Sequence, residues 1–242
     1  MGIFPGAGRF LAQNEASWTQ QQKPPSLDRH LVLTRFHHAS TLTPHASHLQ
    51  PIARRLRSIN GSQRVVCRAL CSPLDRALLH APPVADGYNS FIGSLRTKTN
   101  LSPDLLELSI CRIGVLNKAI YEWNIHGPLA LKAGVSVNEL SDVAALPTFT
   151  DEEQSRKAWA HSVLTRTQKA VIKYTDEMTV RVAVSDEVFQ ELHEVLPSDR
   201  SIVELTATVA GYNCVSRFLV ALDVGEHNDG EMKSPQHMVE NA

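Results

Sequence analysis

Glu107, Asn117, Tyr121, Glu122, Trp123 and His126 form the densest polar cluster in an otherwise apolar part of the sequence. Glu122 and His126 are four residues apart, so a helix puts them on one face and close enough to pair. A carboxylate beside an imidazole holds its tautomer and favours its charged form, which suits a general acid working near neutral pH. The same spacing also fits an ordinary surface Glu–His pair worth roughly a few tenths of a kcal/mol. A second cluster, Tyr212-Asn213-Cys214-Val215-Ser216-Arg217-Phe218, lies towards the C-terminus. Arg217 on a largely apolar helix must find an anion or stay wet. An intersubunit ion pair and a clamp on a substrate carboxylate both meet that need.

Other chemistries lack their residues. There is no His-Glu-x-x-His and no repeated Glu-x-x-His, so no metal site is predicted. Cys67-x-x-x-Cys71 supplies one turn of a thiol site with no second pair to complete it. Burial as lone thiols is the plainer expectation. The sequence holds no Gly-x-Ser-x-Gly elbow and no phosphate loop, and Gly6-Ala7-Gly8 has neither a preceding strand nor a third Gly in place.

The elements that must position these groups read as helices. Ser72-Pro73 and Ser102-Pro103 each put a capping hydroxyl before a Pro at the first helical position. Ser136-Val137-Asn138-Glu139 and Thr150-Asp151-Glu152-Glu153 have the form of capping boxes. Gly134 suits a helix stop, and Ser185-Asp186-Glu187 and Ser198-Asp199 open two more helices. Leu101, Leu105, Leu106, Leu108, Ile110, Ile113, Val115 and Leu116 make an almost all-round apolar helix, which predicts a central position. The Val180–Val184 cluster has no partner with period-two alternation, so no sheet is expected. The prediction is an all-α fold of at least six helices between Ser72 and Asp223. A straight helix would leave Glu107 and Glu122 about four turns apart, so a shared site requires a break near Asn117-Lys118.

The 242 residues carry 24 Lys+Arg against 25 Asp+Glu, a net charge of -1, which argues against a general nucleic-acid binder. No apolar run reaches the ~18 residues of a spanning helix, so no membrane partner is expected. Four cysteines do not make a disulfide framework, and a reducing compartment is tolerated. The expected organisation is a low-order extension over 1–50, a helical domain over 51–223 and an acidic flexible tail over 224–242. The extension resembles a transit peptide only faintly, so cytoplasmic placement is expected, with mitochondrial targeting as the alternative. The Arg-rich run from Arg54 to Arg76 suits a solvated helix face or an arm docking on an acidic neighbour.

Ser72-Pro73-Leu74-Asp75-Arg76-Ala77-Leu78-Leu79-His80, Leu101-Ser102-Pro103 with Glu107, and Tyr121-Glu122-Trp123-x-x-His126 followed by Ala130 and Gly134 together resemble one known family. It is the carboxymuconolactone decarboxylase family, within the alkyl hydroperoxidase D-like superfamily. The resemblance runs from about Arg54 to Asp223, and Tyr212-Asn213 with Ser216-Arg217-Phe218 is similar to its last helix. The peroxidase branch carries Cys-x-x-Cys with a His four residues after the second Cys. Ala119 and Glu122 stand at those positions here, so a peroxide-reducing thiol cycle is disfavoured.

The resemblance implies a decarboxylase-like enzyme that needs no cofactor and acts on a carboxylated unsaturated lactone or similar cyclic metabolite. His126 would donate the proton, Glu122 would orient it, and Glu107 would be a second relay carboxylate. Arg217 is the anion clamp inferred from its chemistry, and Tyr121, Trp123, Tyr212 and Asn213 are expected to contact substrate. A related tailoring enzyme, performing isomerisation, proton transfer or ring chemistry, is the alternative. A catalytically silent oligomer that binds a ligand is the third. The superfamily further implies a homo-oligomer, trimeric or hexameric, with the site near an interface.

Overall fold

In a computed structural model of the chain, residues 72–150, 152–196 and 198–240 are described. The low-order segment expected over 1–50, the Cys67–Cys71 pair and the Arg-rich run before Ser72 lie outside the described residues. Within the described residues the fold is all-α. The helices are α1 (Pro73–Leu78), α2 (Pro82–Thr97), α3 (Pro103–Leu116), α4 (Ile120–Lys132) and α5 (Val137–Ala145), followed by α6 (Glu153–His161), α7 (Arg166–Val180), α8 (Asp186–Val195), α9 (Asp199–Ala221) and α10 (Pro235–Glu240). None of them is long and apolar enough to cross a membrane.

Local chemistry starts most of these helices. Ser72 with Asp75 and Ser136 with Glu139 form reciprocal capping boxes, satisfying two otherwise orphaned amides each. Ser185 and Ser198 cap α8 and α9 through the amides of Val188 and Ser201. Thr165 and Gln168 make a further box at α7. Thr150 does not cap α6, contrary to expectation. Its amide donates to Ser155 Oγ at 3.1 Å, and α6 begins at Glu153 with no side-chain cap. Ser155 Oγ in turn donates to Thr148 O, so the α6 side chain ties down the preceding loop instead of the reverse.

The apolar α3 is central, with every residue from Leu105 to Gly114 buried. One side packs Leu105, Leu106, Ile110 and Ile113 against Ile92, Tyr174, Leu205 and Val209. The other packs Leu108 and Cys111 with Trp123, Leu140, Trp159 and Ile172. The helix must therefore bury its polar residues too. Arg112 meets Asp176 of α7 in a bidentate pair, Nε to Oδ1 at 2.6 Å and Nη2 to Oδ2 at 2.8 Å. Its Nη1 donates to the carbonyls of Val143 and Leu146 at 2.9 and 2.8 Å, which fixes the end of α5.

The expected break between α3 and α4 is present. Asn117 closes α3, Lys118 takes a left-handed φ of 54°, and the Ala119 amide returns to Gly114 O at 2.8 Å. The reversal brings the α4 backbone onto Gly114, where a Cβ would lie 3.2 Å from Trp123 N. Only a glycine allows that approach without a shift.

The C-terminal segment differs from the flexible tail expected. The Trp123 indole donates to Lys233 O at 2.8 Å, and Asn124 exchanges hydrogen bonds with Glu231 O and Lys233 N. Met238 on α10 is 3% exposed and belongs to the core around Trp123. A short apolar anchor and three hydrogen bonds thus outweigh the polar composition that suggested fraying.

The Arg112–Asp176 pair gives a direct test of the core. Asp176→Asn leaves the guanidinium buried opposite a neutral amide, and urea unfolding is expected to show a loss of about 3–5 kcal/mol. The double change Arg112→Met with Asp176→Leu is expected to lose less than the single one. Equal losses would mean that the carbonyl contacts of Arg112, not the ion pair, hold these helices.

Candidate functional site

The α3–α4 reversal sets His126 against Glu107. His126 Nδ1 and Glu107 Oε2 are 2.6 Å apart, and each residue is only 6% exposed. With Nδ1 taken, Nε2 on the far side of the ring has no partner among the described residues. The Tyr212 ring of α9 meets the imidazole edge-on, 5.1 Å between centroids, and limits its tilt. Arg96 at the end of α2 completes the group. Its Nη2 lies 3.7 Å from Glu107 Oε1, and its Nη1 lies 3.5 Å from the Tyr212 hydroxyl.

His126, Tyr212 and Arg96 border a cavity of about 260 Å³. Tyr88, Ile92 and Arg96 line it from α2, Tyr121, Glu122, Ile125 and His126 from α4, and Tyr212, Val215 and Leu219 from α9. Three tyrosines and several aliphatic side chains suit a flat, mostly apolar guest. Burial pushes the Tyr88 and Tyr212 hydroxyls upward, so both stay neutral donors.

The expected Glu122–His126 pair is not formed. Both side chains line the cavity, but the bond to His126 comes from Glu107 on the neighbouring helix. Glu122 is 1% exposed, and neither carboxyl oxygen has a hydrogen-bond partner. Desolvation pushes its carboxyl well above the usual carboxylate range, so the neutral acid is favoured. Helical spacing allowed the pair without requiring it, because residues four apart share a face whether or not they bond.

Of the residues expected to contact substrate, the structure brings Tyr121 and Tyr212 to the cavity and leaves three elsewhere. Trp123 is buried in the core beneath α10. Asn213 is buried and bonded to Thr179 Oγ1, Val209 O and Asn117 Nδ2. Arg217 is exposed and donates to Asn213 O at 3.0 Å and to Asn213 Oδ1. The reason is angular. Positions 212, 215 and 219 of α9 face the cavity, and position 217 lies about 140° around the helix from 212. Among the described residues the cation that lines the cavity is Arg96, to which the sequence had suggested no role. Its signal was the four-residue spacing of Tyr88, Ile92 and Arg96, one face of a helix with an Arg at the end of an apolar stripe.

Cys111 is fully buried, and burial pushes its thiol up, away from reactivity. Cys214 is exposed, and neither thiol lines the cavity. Among the described residues no group of three or more His, Cys, Asp or Glu is placed to hold a metal ion.

Comparison with known proteins agrees with this geometry at the level of family and fold. Residues 82–171, from the start of α2 into α7, match the model of the carboxymuconolactone decarboxylase family. No curated protein sequence matches the chain. Among solved structures, an uncharacterized peroxidase-related protein from Ralstonia eutropha JMP134 with an alkylhydroperoxidase AhpD core is similar at 15% identity. The similarity covers 76% of this chain and 90% of that one, with a TM-score of 0.56. The debrominase Bmp8, in complex with 2,3,4-tribromopyrrole, is 13% identical over 82% of this chain and 94% of its own, with a TM-score of 0.54. An uncharacterized peroxidase-related protein from Silicibacter sp. TM1040 is 12% identical over 80% and 93%, with a TM-score of 0.50. At these identities the structures establish the fold alone. Residues 82–171 of this chain are thus similar to the carboxymuconolactone decarboxylase family, on a helical fold shared with AhpD-like proteins.

Proposed function

We propose that the protein is a cofactor-independent acid–base enzyme acting on a small carboxylated cyclic metabolite, with decarboxylation of an unsaturated lactone as the leading form. The observation that carries this reading is the buried Glu107–His126 pair, whose imidazole borders a cavity that Arg96 also lines. Glu107 orients the ring through Nδ1 and balances the charge of an imidazolium, which leaves Nε2–H to donate. Arg96 takes the anion-binding role that Arg217 cannot fill, because its guanidinium is partly solvated and borders the same cavity.

In the decarboxylation, the bond between the ring carbon and the carboxylate breaks and CO2 leaves. The electron pair enters the conjugated lactone as a dienolate, and His126 delivers a proton to carbon. Water then returns a proton to His126, so the balance is one carboxylate and one proton to one CO2 and one C–H. A tailoring reaction would use the same donor on a different ring, and a silent ligand-binding protein would bind without turnover.

His126→Gln is expected to lower turnover of a carboxylated unsaturated lactone by roughly 10²- to 10⁴-fold, followed as loss of the conjugated ultraviolet chromophore. Circular dichroism should show the fold intact, and near-native turnover in this variant would remove the catalytic assignment. Arg96→Met is expected to act mainly on KM, raising it by about 10- to 100-fold, the worth of a hydrogen bond to a charged group. The same change at Arg217 should leave KM unaltered, and the reverse order would reinstate Arg217 as the clamp.

Glu122 adds a dependence of stability on pH. Its carboxyl titrates higher in the folded chain than in the unfolded one, so above the unfolded value only the folded state keeps the proton. That contribution is fully present at low pH and is lost as pH rises towards the folded value. Denaturant unfolding from pH 4 upward should show this downward slope in the wild type and a flatter one in Glu122→Gln. Parallel slopes would mean that Glu122 ionises normally.

A further inference from the structure

Glu122 has no role in the acid–base scheme above, yet it is the cavity's most unusual group. Its side chain is almost wholly removed from solvent, borders the cavity, and leaves both carboxyl oxygens without a partner. Glu107, by comparison, is matched by His126 and Arg96. No ion pair among the described residues involves Glu122. A buried polar group without a partner costs on the order of 1–3 kcal/mol, and a carboxyl bordering a cavity recovers that cost when a ligand supplies the missing bond.

We propose that Glu122 is a further catalytic residue: its carboxylic acid O–H donates a hydrogen bond to the carbonyl oxygen of a substrate whose carboxylate is held at Arg96. This rests on the acid–base reading of the site and specifies its substrate class. The guest needs a carboxylate for the guanidinium and an acceptor oxygen for Glu122, joined by a conjugated path. When the bond to the carboxylate breaks, the electron pair runs along that path onto the carbonyl oxygen. The Glu122 hydrogen bond strengthens as this oxygen becomes an enolate, the condition for lowering a barrier instead of merely tightening binding. His126 then protonates carbon and the carbonyl re-forms, while Glu122 keeps its proton throughout. An ionised carboxylate at this place would repel the enolate.

The first test is the infrared difference spectrum between wild type and Glu122→Gln at neutral pH. A carbonyl band of a protonated carboxylic acid is expected in the wild type and absent from the variant; an ionised-carboxylate band instead overturns the proposal. The second test uses two probes that cannot decarboxylate, a saturated γ-lactone carboxylate and tetrahydrofuran carboxylate, which lacks the carbonyl. Wild type is expected to bind the lactone about 3- to 10-fold more tightly, the worth of one neutral hydrogen bond. Glu122→Gln, which still offers an N–H, should keep that preference, and Glu122→Leu should lose it. An unchanged preference in Glu122→Leu, or no preference in the wild type, overturns the proposal. Both readouts are free of turnover, so they stand or fall separately from the proton-donor role of His126, and the infrared comparison does not require the Leu variant to fold.

Discussion

The buried pair between Arg112 and Asp176 is the constraint from which the rest of the fold follows. Their side chains are 1% and 0% exposed, and removing two such charges from water costs several kcal/mol for each ion. Only full satisfaction offsets that cost, and the geometry supplies it. Two parallel bonds join the ions, and the remaining guanidinium nitrogen reaches two backbone carbonyls at the end of α5. The carboxylate also accepts the Phe149 amide. One side chain of α3 thereby sets the positions of α7, α5 and the loop that follows it.

That placement has a consequence on the opposite side of α3. Glu107 lies five residues before Arg112, about 140° around the helix, so the two polar groups cannot share a neighbour. Arg112 turns towards α5 and α7, and Glu107 turns towards α2, α4 and α9. A helix almost wholly surrounded by apolar packing therefore carries one charge that ties down α5 and α7 and one that meets His126 and Arg96. The tight reversal at Lys118, made possible by the bare Gly114, brings His126 within hydrogen-bond reach of Glu107.

The cavity is graded in solvation and charge. Arg96 is the most solvated of its ionisable groups, with its side chain 37% exposed, while the Glu107–His126 pair is nearly buried. Glu122 is almost wholly buried and is favoured in its neutral form by desolvation alone. Two carboxyls fifteen residues apart thus have different surroundings, because one has an imidazole and a guanidinium beside it and the other has neither.

Much of this was legible in the sequence, for reasons that are local. Caps at Ser72, Ser136, Ser185 and Ser198 act through amides three residues away, so sequence spacing determines them. The all-round apolar character of α3 required a central position, and the distance from Glu107 to Glu122 required a break. Thr150 had the form of a cap and failed as one, because the helix begins only at Glu153, beyond the position its hydroxyl could cap. The tail had the composition of a frayed end, but Met238 found a place in the core. The choice between Glu122 and Glu107 as the partner of His126, and between Arg217 and Arg96 as the cation at the cavity, was not available from spacing. A helical period states which residues share a face, but not which neighbouring helix that face meets or how far it is rotated. Those are decided by packing between elements distant in the chain, where a few degrees of rotation or a glycine-width approach settles which polar groups touch.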